Sequence, residues 1–321
     1  MAGKILLELK NLTEAYGLDI INENRIVPYE KTAVALGDFD GLHAAHTELI
    51  RKGMEYARKN NLKIGVFLFE ENTKSVLEQN IRLITENEDR LRLIEDTGVD
   101  FVYKVRFDSA FMKKTPEEFI EYLVEKLHIC AVFTGYNYRF GYKAQGDTQM
   151  LLGAGEQYGF KTFILPQMSI DGETVSSTHI RSLIEQGRVE EAEKFLGRSF
   201  YIGGTVERGL QNGRKMGFPT ANVSYNEKLV IPESGVYAGL TYVHGEEYKS
   251  VINVGNNPTF NGARVTIESH LFDFDEEIYG EKIKVSFVKK IRDDIKFGGT
   301  EQLARQIQKD AAEAERILKG R

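Results

Sequence analysis

Thr32-Ala33-Val34-Ala35-Leu36-Gly37-Asp38-Phe39-Asp40-Gly41-Leu42-His43-Ala44-Ala45-His46 decides how the front of the chain folds. Thr32 to Leu36 is an apolar run short enough to be a buried strand, and over residues 47–60 Leu49, Ile50, Gly53, Met54 and Ala57 recur at helical spacing. A strand, a glycine-punctuated turn and a helix opening make a phosphate site, because the first helical N–H groups are unpaired and the positive end of the helix dipole points at the turn. Gly37 and Gly41 let the backbone approach a nucleotide closely. His43 and His46, at the helix start, can both face one phosphate and donate to the oxygens that gain charge as an α-phosphate is attacked.

Strand-like runs at 32–36, 63–69, 101–105, 130–134 and 161–165 alternate with helical patterns near 47–60, 86–97, 116–127 and 147–158. The alternation predicts parallel strands joined by crossover helices, a doubly wound α/β sheet. Ligands of such sheets bind beyond the carboxyl ends of the strands, where the 37–46 turn lies. From 176 to 197 the pattern is helical, with Ser176-Ser177-Thr178 as a cap and Gly187 as a break. Beyond Arg198, β-rich runs at 200–207, 235–243, 248–254, 264–272 and 282–289 are bounded by Gly, Asn, Asp and Pro, which predicts an antiparallel barrel or sandwich. Leu303, Ile307, Ala311, Ala314 and Leu318 form a helical stripe, so a terminal helix packs across it. Two domains follow, 1–186 and 187–321.

The composition, 41% hydrophobic and 28% charged over 321 residues, is that of an ordinary globular protein. A net charge of -6 argues against a broad nucleic-acid surface but leaves room for a nucleotide pocket. The single cysteine, Cys130, excludes a disulfide framework and reads as a buried small hydrophobe. With no signal-peptide pattern and no apolar run of spanning length, the expected place is the cytoplasm, with no membrane partner.

Taken alone, the 37–46 stretch leaves other readings open. Asp38-Phe39-Asp40-Gly41 after a strand also resembles the start of haloacid-dehalogenase-like phosphatases, although Leu42 stands where those carry Thr or Val. A zinc pair lacks further ligands nearby, and a turn with two solvated histidines is the plainest alternative.

Four segments in order favour the first reading. The stretch resembles the His-x-Gly-His motif of the nucleotidylyltransferase superfamily, and specifically the N-terminal module of bacterial bifunctional riboflavin kinase/FAD synthetases, with Gly-x-Phe-Asp-Gly-x-His-x-Gly-His. Leu93 to Asp108 is similar to that family's mid-domain strand. Thr134-Gly135-Tyr136-Asn137-Tyr138-Arg139-Phe140-Gly141, then Gly146-Asp147, resembles its segment near nucleotide and flavin, which places Asn137 at the flavin. Ser176-Ser177-Thr178-His179-Ile180-Arg181 resembles Ser-Ser-Thr-x-Ile-Arg, where hydroxyls and a guanidinium fork grip ATP phosphates. The resemblance assigns Gly37, Phe39, Asp40, Gly41, Ser176, Ser177, Thr178 and Arg181 to ATP, with His43 and His46 as catalytic groups. Three positions depart from the pattern: Ala45 replaces the motif glycine, His179 stands where Arg is common, and Val66 to Lys74 lacks the usual proline-containing turn.

In the second half Gly209, then Gly213-Arg214-Lys215-Met216-Gly217-Phe218-Pro219-Thr220-Ala221-Asn222, resembles the riboflavin kinase pattern Gly-Arg-x-x-Gly-x-Pro-Thr-Ala-Asn. Gly209, Gly213, Arg214 and Gly217 are implied at the phosphates, and Pro219 presents Thr220 and Asn222 as oxygen ligands for Mg2+. In Ile267-Glu268-Ser269-His270-Leu271-Phe272-Asp273-Phe274 the family's general base is Glu268, and Arg292 resembles a flavin-side arginine. The resemblance covers residues 30–318. It implies a six-stranded kinase barrel with a terminal helix, ATP as co-substrate, riboflavin, FMN and FAD as substrates and products, and a monomer or weak homo-oligomer. An enzyme with one active site of the two, the kinase, and a non-catalytic flavin-binding regulator are the alternatives.

Overall fold

The computed structural model describes residues 18–77, 81–209, 218–259 and 262–320. They form two compact units, the first ending at Ser176 and the second beginning at Ser177.

In the first unit β1 (Asp19–Asn22), β2 (Thr32–Leu36), β3 (Lys63–Phe69), β4 (Phe101–Val105), β5 (Ile129–Gly135) and β6 (Lys161–Leu165) make one parallel sheet, ordered β1-β4-β3-β2-β5-β6. The helices are α1 (Ala44–Asn60), α2 (Thr73–Leu77), α3 (Asn87–Glu95), α4 (Pro116–Leu127) and α5 (Thr148–Tyr158), and a small hairpin, β7 (Ser169–Ile170) and β8 (Glu173–Thr174), ends the unit. Strand alternation divides the core. Ala33, Ala35, Val66 and Leu68 pack with Leu49, Ile50, Leu91 and Ile94 on one face, while Val34, Leu36, Phe67 and Val132 meet Phe119, Leu123, Leu127 and Leu151 on the other. Burial on both faces is why these strands are continuous apolar runs. β1 has no such signal: it is an edge strand of four residues with polar ends.

The chain leaves β2 toward β3 on one side and later returns to β5 on the other, so the strand order reverses at β2. Leu36 pairs with Thr134, and the backbone leaves the sheet at Gly37 and around Gly135 together. A crevice outside those carboxyl ends is the usual ligand position in an open α/β sheet.

The second unit opens with α6 (Ser177–Glu185) and α7 (Val189–Leu196), ten residues earlier than the boundary expected at 186, because α6 packs with α7. His179 lies edge-on to Phe195 across that contact, 4.8 Å between ring centroids. β9 (Phe200–Glu207), β10 (Ala221–Tyr225), β11 (Gly235–Val243), β12 (Glu246–Thr259), β13 (Gly262–Leu271) and β14 (Lys282–Asp293) close into an antiparallel barrel, β10-β13-β12-β11-β14-β9. Ile202, Ile252, Val254, Ile267, Val285 and Phe287 are buried in it. Three buried hydroxyls satisfy one another there: Thr241 Oγ1 lies 3.0 Å from Ser250 Oγ and 2.7 Å from Ser269 Oγ. α8 (Thr300–Ile317) packs Ala314, with Leu318 just beyond it, on Ala238 and Val288.

Candidate active sites

The turn after β2 is strained and tied down. Phe39 (φ 54°), Gly41 (φ 79°) and Leu42 (φ 35°) all have left-handed backbones, a conformation costing roughly 1–2 kcal/mol for a non-glycine residue. Such strain persists only where neighbours over-determine it. The Asp40 carboxylate, 3% exposed, accepts from the backbone N–H of Ile84 (3.0 Å) and Thr85 (3.2 Å), and Thr85 Oγ1 accepts from the Gly41 N–H at 3.1 Å. A β-carbon at Gly41 would come within 3.0 Å of Ile84. Asp40 is thus bound to backbone amides, unlike the acid of a phosphatase Asp-x-Asp pair, and it shapes the turn.

His43 caps α1 through its side chain: Nδ1 accepts from the His46 N–H at 3.4 Å. With Nδ1 as acceptor, the neutral ring carries its proton on Nε2. The two imidazoles stack at 3.7 Å and 10°, and the fully buried Phe39 ring backs His46 at 5.1 Å. Phe39 therefore serves the site as a brace for His46. Ala45 occupies the second position of the helix, in its first turn.

Across the switch point, the exposed Asn137 lies with Oδ1 3.5 Å from where a β-carbon of Gly135 would be. Its neighbour Tyr138 stacks on Phe140, and burial, with the Asp38 carboxylate adding, pushes its phenol well above the ordinary range. At the carboxyl end of β3, Phe69 meets Phe107 at 4.9 Å and Phe111 at 5.2 Å. The sequence reading passed over this aromatic wall, which phenylalanines at 69, 107 and 111 flanking two strand ends could have signalled. Ser176 ends the first unit; Ser177, Thr178 and Arg181 lie in α6, where Arg181 Nη2 reaches Thr178 Oγ1 at 3.5 Å.

In the barrel, β13 carries Glu268 and His270 on its outer face. Glu268 pairs in register with Asn222 of β10 and Asn253 of β12, and its carboxylate accepts from Thr220 Oγ1 at 3.5 Å. Burial pushes the Glu268 carboxyl above the usual carboxylate range, with the Thr220 hydrogen bond pulling the other way. His270, given no role by the sequence reading, donates from Nδ1 to the Pro219 carbonyl at 2.7 Å, with the Phe218 ring at 5.5 Å. β13 thus holds both Pro219 and Thr220. Gly209 lies directly over Asn222: a β-carbon there would fall 2.5 Å from the side-chain amide. Gly209→Ala therefore crowds the Asn222 side-chain amide, and a misplacement of about 1 Å in a site costs about 10²-fold. The expected result is that fall in kcat/KM for riboflavin phosphorylation with FMN adenylylation unchanged, read by steady-state kinetics of each reaction. Gly213, Arg214 and Gly217 lie outside the described residues. Arg292 is committed elsewhere than open solvent. It donates from Nη2 (2.7 Å) and Nε (3.0 Å) to the buried Asp310 of α8, and its guanidinium lies over Phe297 at 5.7 Å.

The FAD synthetase family matches residues 27–179 and the riboflavin kinase family residues 196–318. A bifunctional riboflavin kinase/FMN adenylyltransferase of Bacillus subtilis (strain 168) is 35% identical over 90% of this chain and 93% of its own length. The protein of the same description from Escherichia coli (strain K12) is 36% identical over 88% and 91%. The chain belongs to this family. It is a transferase carrying both catalytic domains of flavin biosynthesis, kinase and nucleotidyltransferase. A crystal structure described as a macrolide-efflux protein from Streptococcus pneumoniae superposes with a TM-score of 0.85 at 32% identity, covering 93% of this chain and 99% of that one. Among the described residues no helix is long and apolar enough to cross a membrane.

Proposed function

We propose that the barrel transfers the γ-phosphate of ATP to the primary hydroxyl of riboflavin's ribityl chain through Glu268, and that the sheet domain joins FMN to the AMP moiety of a second ATP through His43 and His46. One observation carries the reading: a half-buried carboxylate with a raised pKa, Glu268, stands among Thr220 and Asn222 in a barrel whose partner domain holds a stacked histidine pair at its switch point. In the first step Glu268 accepts the hydroxyl proton as the new O–P bond forms and ADP leaves. In the second an FMN phosphate oxygen attacks the α-phosphate, pyrophosphate departs, and the imidazoles donate to the oxygens gaining charge, with no covalent intermediate.

The remaining assignments belong to this proposal. The donors about Glu268 are hard oxygens, a hydroxyl and a side-chain amide, which suits Mg2+ held jointly with a nucleotide. Thr220 and Asn222 would hold the ion, and its charge would neutralise the phosphates. Gly209, with Gly213, Arg214 and Gly217 outside the described residues, would contact the phosphates of the kinase nucleotide. Gly37 and Gly41 give the adenylyl-transfer nucleotide close backbone approach, and Ser176, Ser177, Thr178 and Arg181 supply its phosphate grip. Asn137 and the Phe69, Phe107 and Phe111 wall suit a flat flavin ring, since aromatic faces stack offset or edge-on. Arg292, fixed by Asp310, is a rigid cationic wall on the flavin side of the barrel. The charge of -6 argues against a broad nucleic-acid surface and the lone cysteine suits a reducing compartment, which supports a cytoplasmic enzyme working on small molecules, as a monomer or weak homo-oligomer on this proposal.

Incubation of the protein with ATP, Mg2+ and riboflavin, followed by chromatography of the flavins, is expected to show FMN and then FAD. FMN accumulating without FAD, with the flavin oxidised or reduced, would establish a kinase alone.

A further inference from the structure

The segment following β3, Glu70 to Leu77, has no proline to stiffen it, yet it is tied to the histidine turn at one residue. Thr73 Oγ1 donates to Asp38 Oδ1 at 2.8 Å. Arg90, only 3% exposed, donates from Nη1 to the Asp38 carbonyl (3.1 Å) and from Nη2 to the carbonyls of Phe69 (2.7 Å) and Glu70 (3.3 Å). Asn87 Oδ1 also accepts from Nη2, at 3.1 Å. The buried Asn72 completes the segment by accepting from the Ser75 N–H at the start of α2. Burying a guanidinium is costly, and burial draws its pKa down against the pull of Asp40 and Asp38. What that burial secures is geometry: one fork spans the ends of β2 and β3.

We propose that Asp38 is a positioning residue for adenylyl transfer, setting segment 70–77 and the aromatic end of β3 at a fixed offset from His43 and His46. The inference rests on the adenylyl-transfer reading of that turn. Asp40 ties the turn to residues 84–85 on one side, and Asp38 ties it to residues 69–73 on the other. With three residues in left-handed conformations between Gly37 and His43, the turn depends on both ties. The ties of Asp38 run to Thr73 and Arg90, so its effect on the imidazoles runs through alignment of the turn. In other chains a proline can fix such a segment by locking φ; here a carboxylate, a hydroxyl and a buried guanidinium do so.

The test compares Asp38→Ala, Thr73→Val, the double variant and Asp38→Asn in FAD formation from FMN. Misalignment of bound reactants lowers the chemical step while each substrate keeps its own contacts. Asp38→Ala and Thr73→Val are each expected to lower kcat about 10- to 100-fold, with KM for ATP and FMN within about threefold of wild type. Asp38→Asn keeps an acceptor oxygen for Thr73 and is expected to retain kcat within about threefold, and the double variant should be no worse than Asp38→Ala, because the two residues share one interaction. Riboflavin phosphorylation by the same samples stays unchanged, and thermal unfolding shows each variant folded at the assay temperature. Wild-type kcat in Asp38→Ala or Thr73→Val would overturn the proposal. So would an Asp38→Asn variant as impaired as Asp38→Ala, or a loss tracking only the unfolded fraction. A wild-type protein forming FMN but no FAD would instead remove the reading on which the proposal rests.

Discussion

His46→Ala loses FAD formation by about 10²- to 10³-fold, the usual cost of removing one donor aimed at developing charge, and keeps FMN formation at the wild-type rate. The substitution is unusually clean because of how the helix begins. The N–H that satisfies His43 Nδ1 belongs to the backbone of residue 46, so alanine preserves the cap and the His43 tautomer while deleting only the second imidazole. His43→Ala would remove a cap as well, at roughly 1 kcal/mol, and confuse binding with folding. The stacked partner and the Phe39 brace stay in place, since both are fixed by the turn and by Asp40. Chromatography of flavins from parallel reactions started with riboflavin and with FMN reads both activities in one sample. Equal loss of the two would sink the idea of independent sites.

The fold was legible where burial is two-sided. β2, β3 and β4 run over the same residues that their apolar runs predict, β5 is one residue longer at each end, and the edge strand β6, only partly buried, also keeps its predicted bounds. α1 begins at Ala44, three residues before the helical pattern predicted from 47, a start the sequence does not mark because the residue capping it is a histidine and not one of the usual Ser, Thr, Asp or Asn. β10 was not among the predicted runs, since a five-residue strand directly after Pro219 has too little alternation to show, yet it carries Asn222. Local patterning alone allows a barrel or a sandwich, and only the family resemblance points to the six-stranded barrel that is observed, because closure depends on β9 meeting both β10 and β14, which no local pattern records.

Within the sites, residue types were readable and their attachments were not. Asp40 reads as a nucleotide contact, and its carboxylate also accepts from amides 44 and 45 positions away, an attachment the motif does not contain. Arg292 reads as a flavin-side arginine, and no local pattern contains Asp310, which lies 18 positions on within α8 and is 2% exposed. His270 was visible only as a letter beside Glu268, and its bond to Pro219 spans 51 positions. Pairings of this length are set by barrel closure and by the sheet's strand order, so a motif announces the chemistry and leaves the bracing unwritten.

Glu268→Gln is the second large effect, and it separates catalysis from folding. Gln keeps the shape and an acceptor for Thr220 but has no basicity to take the ribityl proton, so riboflavin phosphorylation is expected to fall about 10²- to 10⁴-fold. The pH dependence of the wild type has a definite sign. The base must be ionised, and burial holds its pKa above the ordinary glutamate value, so kcat/KM falls with acid through a limb lying above ~4.3. The same shift acts on stability in the opposite sense. A carboxyl whose folded-state pKa is raised stabilises the fold only while protonated, and that contribution is lost as pH rises from the unfolded pKa through the folded one. At neutral pH the ionised Glu268 is therefore a burden on the barrel, and the neutral isostere should unfold at a temperature equal to or higher than wild type while being nearly inactive. A thermal melt at pH 7 beside the riboflavin assay checks both. Normal turnover of riboflavin by the variant would remove Glu268 as the base, and a lower melting temperature would show that the carboxylate is paired more favourably than its half-buried position beside Thr220 indicates.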